Sequence, residues 1–210
     1  MITIHHLNDS RSQRILWLCE ELSLGYDLKF YTRDLNTRLA PPELKAVHPL
    51  GKSPVIEDGD LKLAESGAIV DYLIRRHGNG SLAPAPGTDL HEVYLEWLHF
   101  SEGSAMLPLM LALYTGRLGE AAAPLQPRIQ EQIHSILHFF DEQLGDNDWL
   151  VGNALSGADI MMSFVAEIAT MQGMTAQFPR LADYARRLQA RPAWQAALER
   201  GGPYSFTIPV

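Results

Sequence analysis

The chain has 210 residues, of which 17 are Lys or Arg and 25 are Asp or Glu, so its formal net charge is −8. An acidic surface repels phosphate groups, which excludes nucleic acid or an anionic membrane as the main partner. The single cysteine, Cys19, excludes an internal disulfide. No apolar run reaches the roughly 18 residues of a membrane span, and no signal peptide pattern opens the chain. We therefore expect a cytoplasmic globular protein of one large or two small domains.

Short strands and short helices alternate in the first part of the chain. The strand patterns fall at residues 2–5, 28–31, 55–57 and 61–63, and a tight turn at Asp58-Gly59 joins the last two. A helix with apolar residues at helical spacing separates the first two strands, and Gly25 is expected to end it. A short helix follows Pro41-Pro42, and Ser66 is expected to cap a further helix. The order βαβαββα predicts a small mixed sheet covered by helices.

A segment rich in Gly and Pro at residues 78–87 has the composition of a linker. Only helical patterns follow it: a long helix expected to bend at Pro108, a second helix started by Pro127, and another at residues 181–188. Ser156 and Asp159 form a variant of the capping box, which we assign to folding. The predicted domains are therefore residues 1–78, an α/β domain, and residues 90–210, an all-helical domain, joined by a linker at 79–89.

Several common catalytic motifs are missing from the sequence. Gly51-Lys52-Ser53 imitates the end of a phosphate-binding loop, but Ala46 stands where that motif requires glycine. His134 and His138 lie one helical turn apart without a third residue at metal-ligand spacing, so we expect no metal site. Nucleotide, hydrolase and zinc chemistries therefore have no motif in this chain.

Residues 48–56 and 63–69 combine two features that suit a small peptide ligand. Pro54 enters a strand and removes a ladder hydrogen bond, which leaves the amide and carbonyl groups of Ser53 free to pair with an extended backbone. Glu65 and Ser66 lie at a helix N-terminus, where unpaired amides favour an anionic group. The Ser66 hydroxyl can bind a carboxylate while Glu65 pairs with an ammonium group. Together these features are typical of amino-acid-type recognition.

In their order and spacing, these motifs resemble the cytosolic glutathione transferase superfamily over essentially the whole chain, and in particular its bacterial-type, serine-using members. The resemblance implies a thioredoxin-like N-terminal domain, an all-helical C-terminal domain, glutathione as co-substrate without a metal, and a homodimer. It implies that Lys52 and the Ser53 backbone hold the cysteinyl and glycyl part of glutathione, next to a cis Pro54. Glu65 and Ser66 would hold its γ-glutamyl end.

The resemblance also identifies candidates for the group that activates the thiol. Serine-using members place a hydroxyl at the start of the first helix, often four residues before an arginine, as Ser10 precedes Arg14. Ser10 is therefore the first catalytic candidate, with Ser12 and Asn8 as alternatives. Arg11 and Arg14 add positive charge, although Arg14 is alternatively a structural ion-pair partner. The implied electrophile pocket is lined by Met106, Leu107, Met110, Leu113 and Tyr114, with Tyr204 and Phe206 from the tail.

The implied activity is transfer of the glutathione thiolate to hydrophobic electrophiles, or reduction of organic peroxides. Lowering a thiol pKa of about 8.5 by about two requires about 2.7 kcal/mol. A hydrogen bond from a serine hydroxyl to the anion supplies about 1.5–3 kcal/mol, and the helix dipole about 0.3–1 kcal/mol more. The alternatives are a glutathione-dependent disulfide reductase, a dehalogenase, a maleylacetoacetate-type isomerase and a non-catalytic glutathione-binding carrier. The chain lacks the Ser-Ser-Cys pattern of the isomerases.

Overall fold

A four-stranded mixed sheet forms the first part of the protein, for which a computed structural model describes residues 1–208. Its strands are β1 (Ile2–Leu7), β2 (Tyr26–Tyr31), β3 (Val55–Asp58) and β4 (Leu61–Ala64), and its helices are α1 (Gln13–Glu21), α2 (Glu43–Val47) and α3 (Ser66–His77). The strand order is β2-β1-β3-β4, with β1 and β2 parallel and the other pairs antiparallel. The predicted βαβαββα order is confirmed.

Helices build most of the second part of the protein, as far as residue 208. They are α4 (Asp89–Phe100), α5 (Met106–Gly116), α6 (Gln126–Leu144), α7 (Gly157–Met171), α8 (Pro179–Gln189) and α9 (Pro192–Gly201). The central helix is α7, which is almost entirely buried and packs against α1, α3, α4 and α8. A thioredoxin-like α/β domain followed by a helical domain is therefore confirmed as the fold class. Within residues 1–208, no helix combines the length and apolarity needed to cross a bilayer.

The structure corrects three details of the predicted elements. Helix α1 ends at Glu21, so the prediction that Gly25 ends it is wrong. Ser23, with φ 53°, takes the left-handed conformation that often follows the end of a helix. The long helix is interrupted before Pro108, by a π-helical turn at Ser101–Ala105. Because proline lacks the amide that would bond the carbonyl of Ser104, the irregularity falls within that preceding turn. Helix α9 was not predicted, although Pro192 occupies its first turn, a common position for proline.

The capping box at the start of α7 is confirmed. The carboxylate of Asp159 accepts the backbone N–H of Ser156 at 2.8 Å, and the Ser156 hydroxyl accepts the N–H of Ala158 at 3.3 Å. Asp159 also accepts the N–H of Leu150 at 3.1 Å and the hydroxyl of Tyr184 at 2.9 Å. One buried carboxylate thus ties α7 to α8 and to the loop before it.

A second buried carboxyl group in α7, that of Glu167, is expected to make stability depend on pH. Tyr204 donates to it at 2.6 Å, Gln189 at 3.0 Å and Trp194 at 3.1 Å. Burial nevertheless raises the pKa of Glu167 from 4.5 to about 7. The folded protein therefore binds a proton more tightly than the unfolded chain, so this contribution to stability is present at low pH and is lost as the pH rises through about 7.

Replacing Glu167 with glutamine removes the titrating group but keeps an acceptor for Gln189 and Trp194. Relative to Glu167→Gln, the free energy of unfolding of the wild type should fall by about 3 kcal/mol between pH 4.5 and 7. Chemical denaturation of both proteins across this range measures the difference. A difference that does not change with pH would contradict the prediction.

Candidate active site

Three chain segments meet at one end of the sheet. His5 of β1, Val55 of β3 and Ala64 of β4 lie side by side across the three strands. The loop after β1, the turn before β3 and the start of α3 are therefore neighbours. The Ser53 hydroxyl ties the turn before β3 to strand β1, because it donates to the carbonyl oxygen of His5 at 2.8 Å. Motifs that lie far apart in the sequence thus form one site.

The Ser53-Pro54 turn offers a free backbone edge. The peptide bond between these residues is cis, as the resemblance implies. Within residues 1–208, neither the backbone N–H nor the carbonyl oxygen of Ser53 has a hydrogen-bond partner. Lys52 beside them is exposed, and its ammonium group makes no ion pair with a described residue. An extended peptide backbone can therefore pair with Ser53, with a cationic side chain alongside.

Glu65 and Ser66 present polar groups at the start of α3. Glu65 occupies the N-cap position with φ 67°, a left-handed conformation that costs a residue other than glycine about 1–3 kcal/mol. Ser66 is the first residue of the helix, so the expectation that it caps α3 is wrong. In the described part of the chain, the side chains of Glu65 and Ser66 make no hydrogen bond or ion pair. The carboxylate, the hydroxyl and the free amides of the first turn remain available to a zwitterionic ligand.

Among the thiol-activating candidates, the structure distinguishes Ser10 from Ser12 by burial and contacts. Ser12 is fully buried, and its Oγ contacts Ser10 Oγ and His6 Nδ1, both at 2.8 Å, and the backbone N and O of Leu7, both at 3.2 Å. These contacts already occupy the Ser12 hydroxyl, which favours Ser10 as the thiol-contacting residue. Asn8 accepts the backbone N–H of Arg33 at 2.8 Å and braces the loop.

Ser10 is 5% exposed, and contacts with Ser12 hold its hydroxyl in place. Its Oγ accepts the backbone N–H of Ser12 at 3.2 Å. His6 fixes Ser12 in turn, because its Nε2 lies 3.1 Å from the carbonyl oxygen of Gly201 and must donate to it. Burial lowers the pKa of His6 to about 4, so the ring is neutral at pH 7 and its Nδ1 accepts from Ser12. Sequence analysis missed this role of His6, for which two adjacent histidines in a central strand were the available signal.

Two arginines follow Ser10 and share one carboxylate. Arg14 is buried and donates to Glu102 and to the carbonyl oxygen of Met161, the latter at 2.6 Å. Arg11 donates through Nε to both oxygens of Glu102 at 2.9 Å. Burial by itself would raise the pKa of Glu102, but the charge of Arg14 holds it below its usual value. The alternative that Arg14 is a structural ion-pair partner is thus the one that the structure supports.

Two further arginines contact the loop after β1. Arg33 donates to the carbonyl oxygens of Asn8 at 3.1 Å and Asp9 at 3.2 Å. Arg38 donates to the Asp9 carboxylate at 2.6 Å. Residues 8–14 thus include Arg11 and Arg14 and are contacted by two more arginines. The carboxylates paired with these four arginines are those of Asp9 and Glu102. The surroundings of Ser10 are positive in a protein whose net charge is negative, which favours an anion there.

The residues expected to line an electrophile pocket divide into two groups. Met106 is 1% exposed, and Tyr204 is buried with its hydroxyl bonded to Glu167. Both residues therefore belong to the core, and the prediction that they line the pocket is wrong. Met110 is half-buried and Tyr114 is 56% exposed, so both remain candidates. The Phe206 ring packs on Phe164 with centroids 5.3 Å apart.

A separate cavity of about 390 Å³ lies between α5 and α6. Leu107 and Leu111 line it from α5, and Ile129 and Ile136 from α6. None of Met106, Met110 and Tyr114 reaches it, because these residues occupy another side of α5. Leu107 was expected in the electrophile pocket but faces this cavity instead.

Comparison with known proteins agrees with the fold. Residues 1–75 match the family model "Glutathione S-transferase, N-terminal domain", and residues 102–192 match "Glutathione S-transferase, C-terminal domain". The chain is 31% identical to Glutathione S-transferase 1 of Saccharomyces cerevisiae over 95% of each protein. It is also 31% identical to Glutathione S-transferase 3 of Schizosaccharomyces pombe, over 99% of this chain and 91% of that one.

Solved structures give the same result. A glutathione S-transferase from Actinobacillus pleuropneumoniae superimposes with a TM-score of 0.89 at 38% identity, covering 96% of this chain and 93% of that one. A sphingomonad glutathione S-transferase in complex with glutathione gives a TM-score of 0.77 at 25% identity, covering 95% and 98%. The fold, the two domain matches and these relatives show that the chain belongs to the glutathione transferase superfamily.

Proposed function

We propose that this glutathione transferase conjugates the glutathione thiolate to electrophiles, and that the Ser10 hydroxyl stabilises the thiolate. The observation that carries the proposal is the meeting of three segments at one end of the sheet. Ser10, the free backbone of Ser53 and the unpaired side chains of Glu65 and Ser66 lie there together. A tripeptide whose thiol lies between two charged ends has a partner for each of these groups.

Each part of the site has a proposed role in binding. The Ser53 amide and carbonyl groups pair with the cysteinyl backbone, as strand addition does, and Lys52 attracts the glycyl carboxylate. The Ser66 hydroxyl and the first amides of α3 bind the γ-glutamyl carboxylate, while Glu65 pairs with its ammonium group. We assign glutathione binding to residues 1–78, which include the cis Pro54, and the electrophile pocket to residues 90–210, with 79–89 as linker.

The chemical role of Ser10 is to donate one hydrogen bond to sulfur. A free thiol of pKa about 8.5 is only a few per cent ionised at pH 7. A charge-assisted hydrogen bond of about 1.5–3 kcal/mol lowers this pKa by about one to two. The arginines around residues 8–14 and the start of α1 act in the same direction. Ser10 therefore does not have to act as a base or as a nucleophile.

Glu65 is expected to contribute to affinity and not to turnover. Replacing it with glutamine removes the charge that pairs with the ammonium group, so the KM for glutathione should rise about tenfold. The kcat at saturating glutathione should remain within about twofold, because Glu65 does not contact the thiol. Steady-state kinetics with varied glutathione measures both constants. The control is Glu92→Gln, which changes an exposed carboxylate on α4. An unchanged KM for Glu65→Gln would contradict the assignment.

Turnover distinguishes the transferase from the alternatives. The assays follow conjugation of a chloronitrobenzene, reduction of an organic hydroperoxide and reduction of a mixed disulfide on one preparation. Conjugation supports the proposal, and peroxide reduction by the same thiolate would add a second activity. Binding of glutathione without turnover in all three assays would favour a non-catalytic carrier.

We also propose that the protein is a homodimer in the cytoplasm. The dimer is supported by apolar side chains that α4 and α5 expose: Leu90, Val93, Leu107 and Leu111. On each helix the two exposed side chains lie one turn apart, and exposed apolar pairs of this kind often form part of a protein interface. Sedimentation velocity tests the assembly, and a monomer at micromolar concentration would contradict it. The cytoplasmic location is supported by the single cysteine, Cys19, which is buried and free.

A further inference from the structure

We propose that Arg11 selects electrophiles that carry an anionic oxygen group, such as a carboxylate, beside the reacting carbon. This inference rests on the proposed function, because it concerns the second substrate of the same site. It narrows the substrate class from hydrophobic electrophiles in general to electrophiles that combine an apolar body with an acidic group.

The first observation is that Arg11 has unused hydrogen-bond donors. Its guanidinium group bonds Glu102 only through Nε, at 2.9 Å to each carboxylate oxygen. Within residues 1–208, its two Nη groups, which carry four N–H bonds, have no partner. The side chain is 28% exposed, so these donors are accessible to a ligand. A planar pair of N–H groups matches the two oxygens of a carboxylate.

The second observation is that the charge of Arg11 is not cancelled. Glu102 is shared between Arg11 and Arg14, so one carboxylate faces two guanidinium groups. Arg14 is 1% exposed at its side chain and also bonds the carbonyl oxygen of Met161, so it is closed to a ligand. Arg11, Arg14 and Glu102 together carry one excess positive charge, and the group that exposes it to a ligand is Arg11.

The third observation is the position of Arg11 between the two domains. It follows Ser10 in the chain, and it reaches Glu102 in the π-helical turn that leads into α5, the helix of Met110 and Tyr114. Its guanidinium carbon lies over the Phe164 ring, 5.3 Å from the ring centre, within the range of a cation–π contact. Phe206 packs against Phe164 at 5.3 Å. An electrophile beside the glutathione thiolate at Ser10 would thus meet the partly exposed Phe206 ring and a guanidinium group together.

Two probe substrates of the same shape test this inference. They are 2-chloro-5-nitrobenzoate and its methyl ester, in which the acidic group or its ester lies next to the carbon that reacts with the thiolate by displacement of chloride. For each, kcat/KM is divided by the rate constant of the uncatalysed reaction, so that their different intrinsic reactivities cancel. We expect this ratio to favour the acid over the ester by about tenfold in the wild type, since a charge-assisted hydrogen bond is lost with the ester.

Arg11→Met should abolish the preference for the acid, so that its normalised kcat/KM falls about tenfold further than that of the ester, which loses only the part that Arg11 plays in stabilising the thiolate. Arg11→Lys keeps the charge but lacks the planar pair of donors, so it should restore the preference in part. The control Arg128→Met removes an exposed arginine on α6 and should keep the full preference. In the wild type alone, rising salt should lower the preference, which tests the inference even where a variant does not fold.

Two outcomes would overturn the inference, and a third would contradict the function on which it rests. Equal normalised values for acid and ester in the wild type would show that no acidic group is recognised. Equal losses for both probes in Arg11→Met would show that Arg11 acts on the thiolate or on folding. No turnover of either probe, with glutathione bound, would instead contradict the proposed function. Turnover of the ester thus separates failure of the inference from failure of the function on which it rests.

Discussion

Replacing Ser10 with alanine should raise the pKa of the bound glutathione thiol from about 6.5 by about one to two, and the smaller thiolate fraction should lower kcat/KM at pH 7 about 3- to 25-fold. The reason is the loss of a single hydrogen bond to an anion. The Ser10 Oγ is held by the backbone N–H of Ser12 at 3.2 Å, and its own proton can turn from Ser12 to the sulfur. Ultraviolet absorbance of the thiolate, titrated against pH, measures the pKa of bound glutathione.

The affinity for glutathione should change little in Ser10→Ala below the thiol pKa, because Ser53, Glu65 and Ser66 remain. The control is Ser135→Ala, which removes an exposed hydroxyl that bonds only the carbonyl oxygen of Glu131. It should leave both the thiol pKa and kcat/KM unchanged. A thiolate titration of Ser10→Ala that overlays the wild type would remove Ser10 from the proposed role.

Replacing Asp159 with alanine should reduce the free energy of unfolding by about 3–5 kcal/mol. The cap of α7 is worth about 0.5–2 kcal/mol. The change also leaves the buried N–H of Leu150 and the hydroxyl of Tyr184 without an acceptor, at about 1–3 kcal/mol each. Denaturation by urea, monitored by circular dichroism, measures the loss. The activity of the folded fraction should be retained, because the hydrogen bonds that Asp159 makes within residues 1–208 are to Ser156, Leu150 and Tyr184, which lie outside the proposed site.

Asp183→Ala provides the matched control for this prediction. Asp183 is exposed and pairs with Arg186 on the same helix at 2.7 Å. Exposed pairs of this kind contribute about 0.2–1 kcal/mol, so the variant should unfold close to the wild type. A loss below about 1 kcal/mol for Asp159→Ala would contradict the role given to the capping box.

The features that were predicted correctly from the sequence are those with short-range causes. The Asp58-Gly59 turn, the proline in the first turn of α6 and the Ser156 capping box each depend on residues within one helical turn or one hairpin. The Ser53-Pro54 turn and the start of α3 at Glu65-Ser66 were located in the same way. Their proximity in space follows from the pairing of β3 with β4.

The features that escaped prediction depend on contacts between distant parts of the chain. Ser10 and Ser12 both lie near the start of α1, and local sequence does not show which hydroxyl is occupied by other contacts. The structure shows that the Ser12 hydroxyl is bonded to His6. Met106 has the spacing of a pocket residue but lies in the core. Glu102 carries no motif, and it gains its role from Arg11 and Arg14, about ninety residues earlier. Neither periodicity nor local propensity contains this information.

The central claim is that this site binds glutathione as the thiolate, and counting the protons released on binding tests it most directly. Calorimetric titration of reduced glutathione at pH 7, in two buffers of different ionisation enthalpy, gives that number. If the site lowers the thiol pKa to about 6.5, about 0.7 proton per site should be released. S-methylglutathione, which has no thiol proton, should bind and release none. Equal proton release by the two ligands, or no binding of glutathione, would contradict the account.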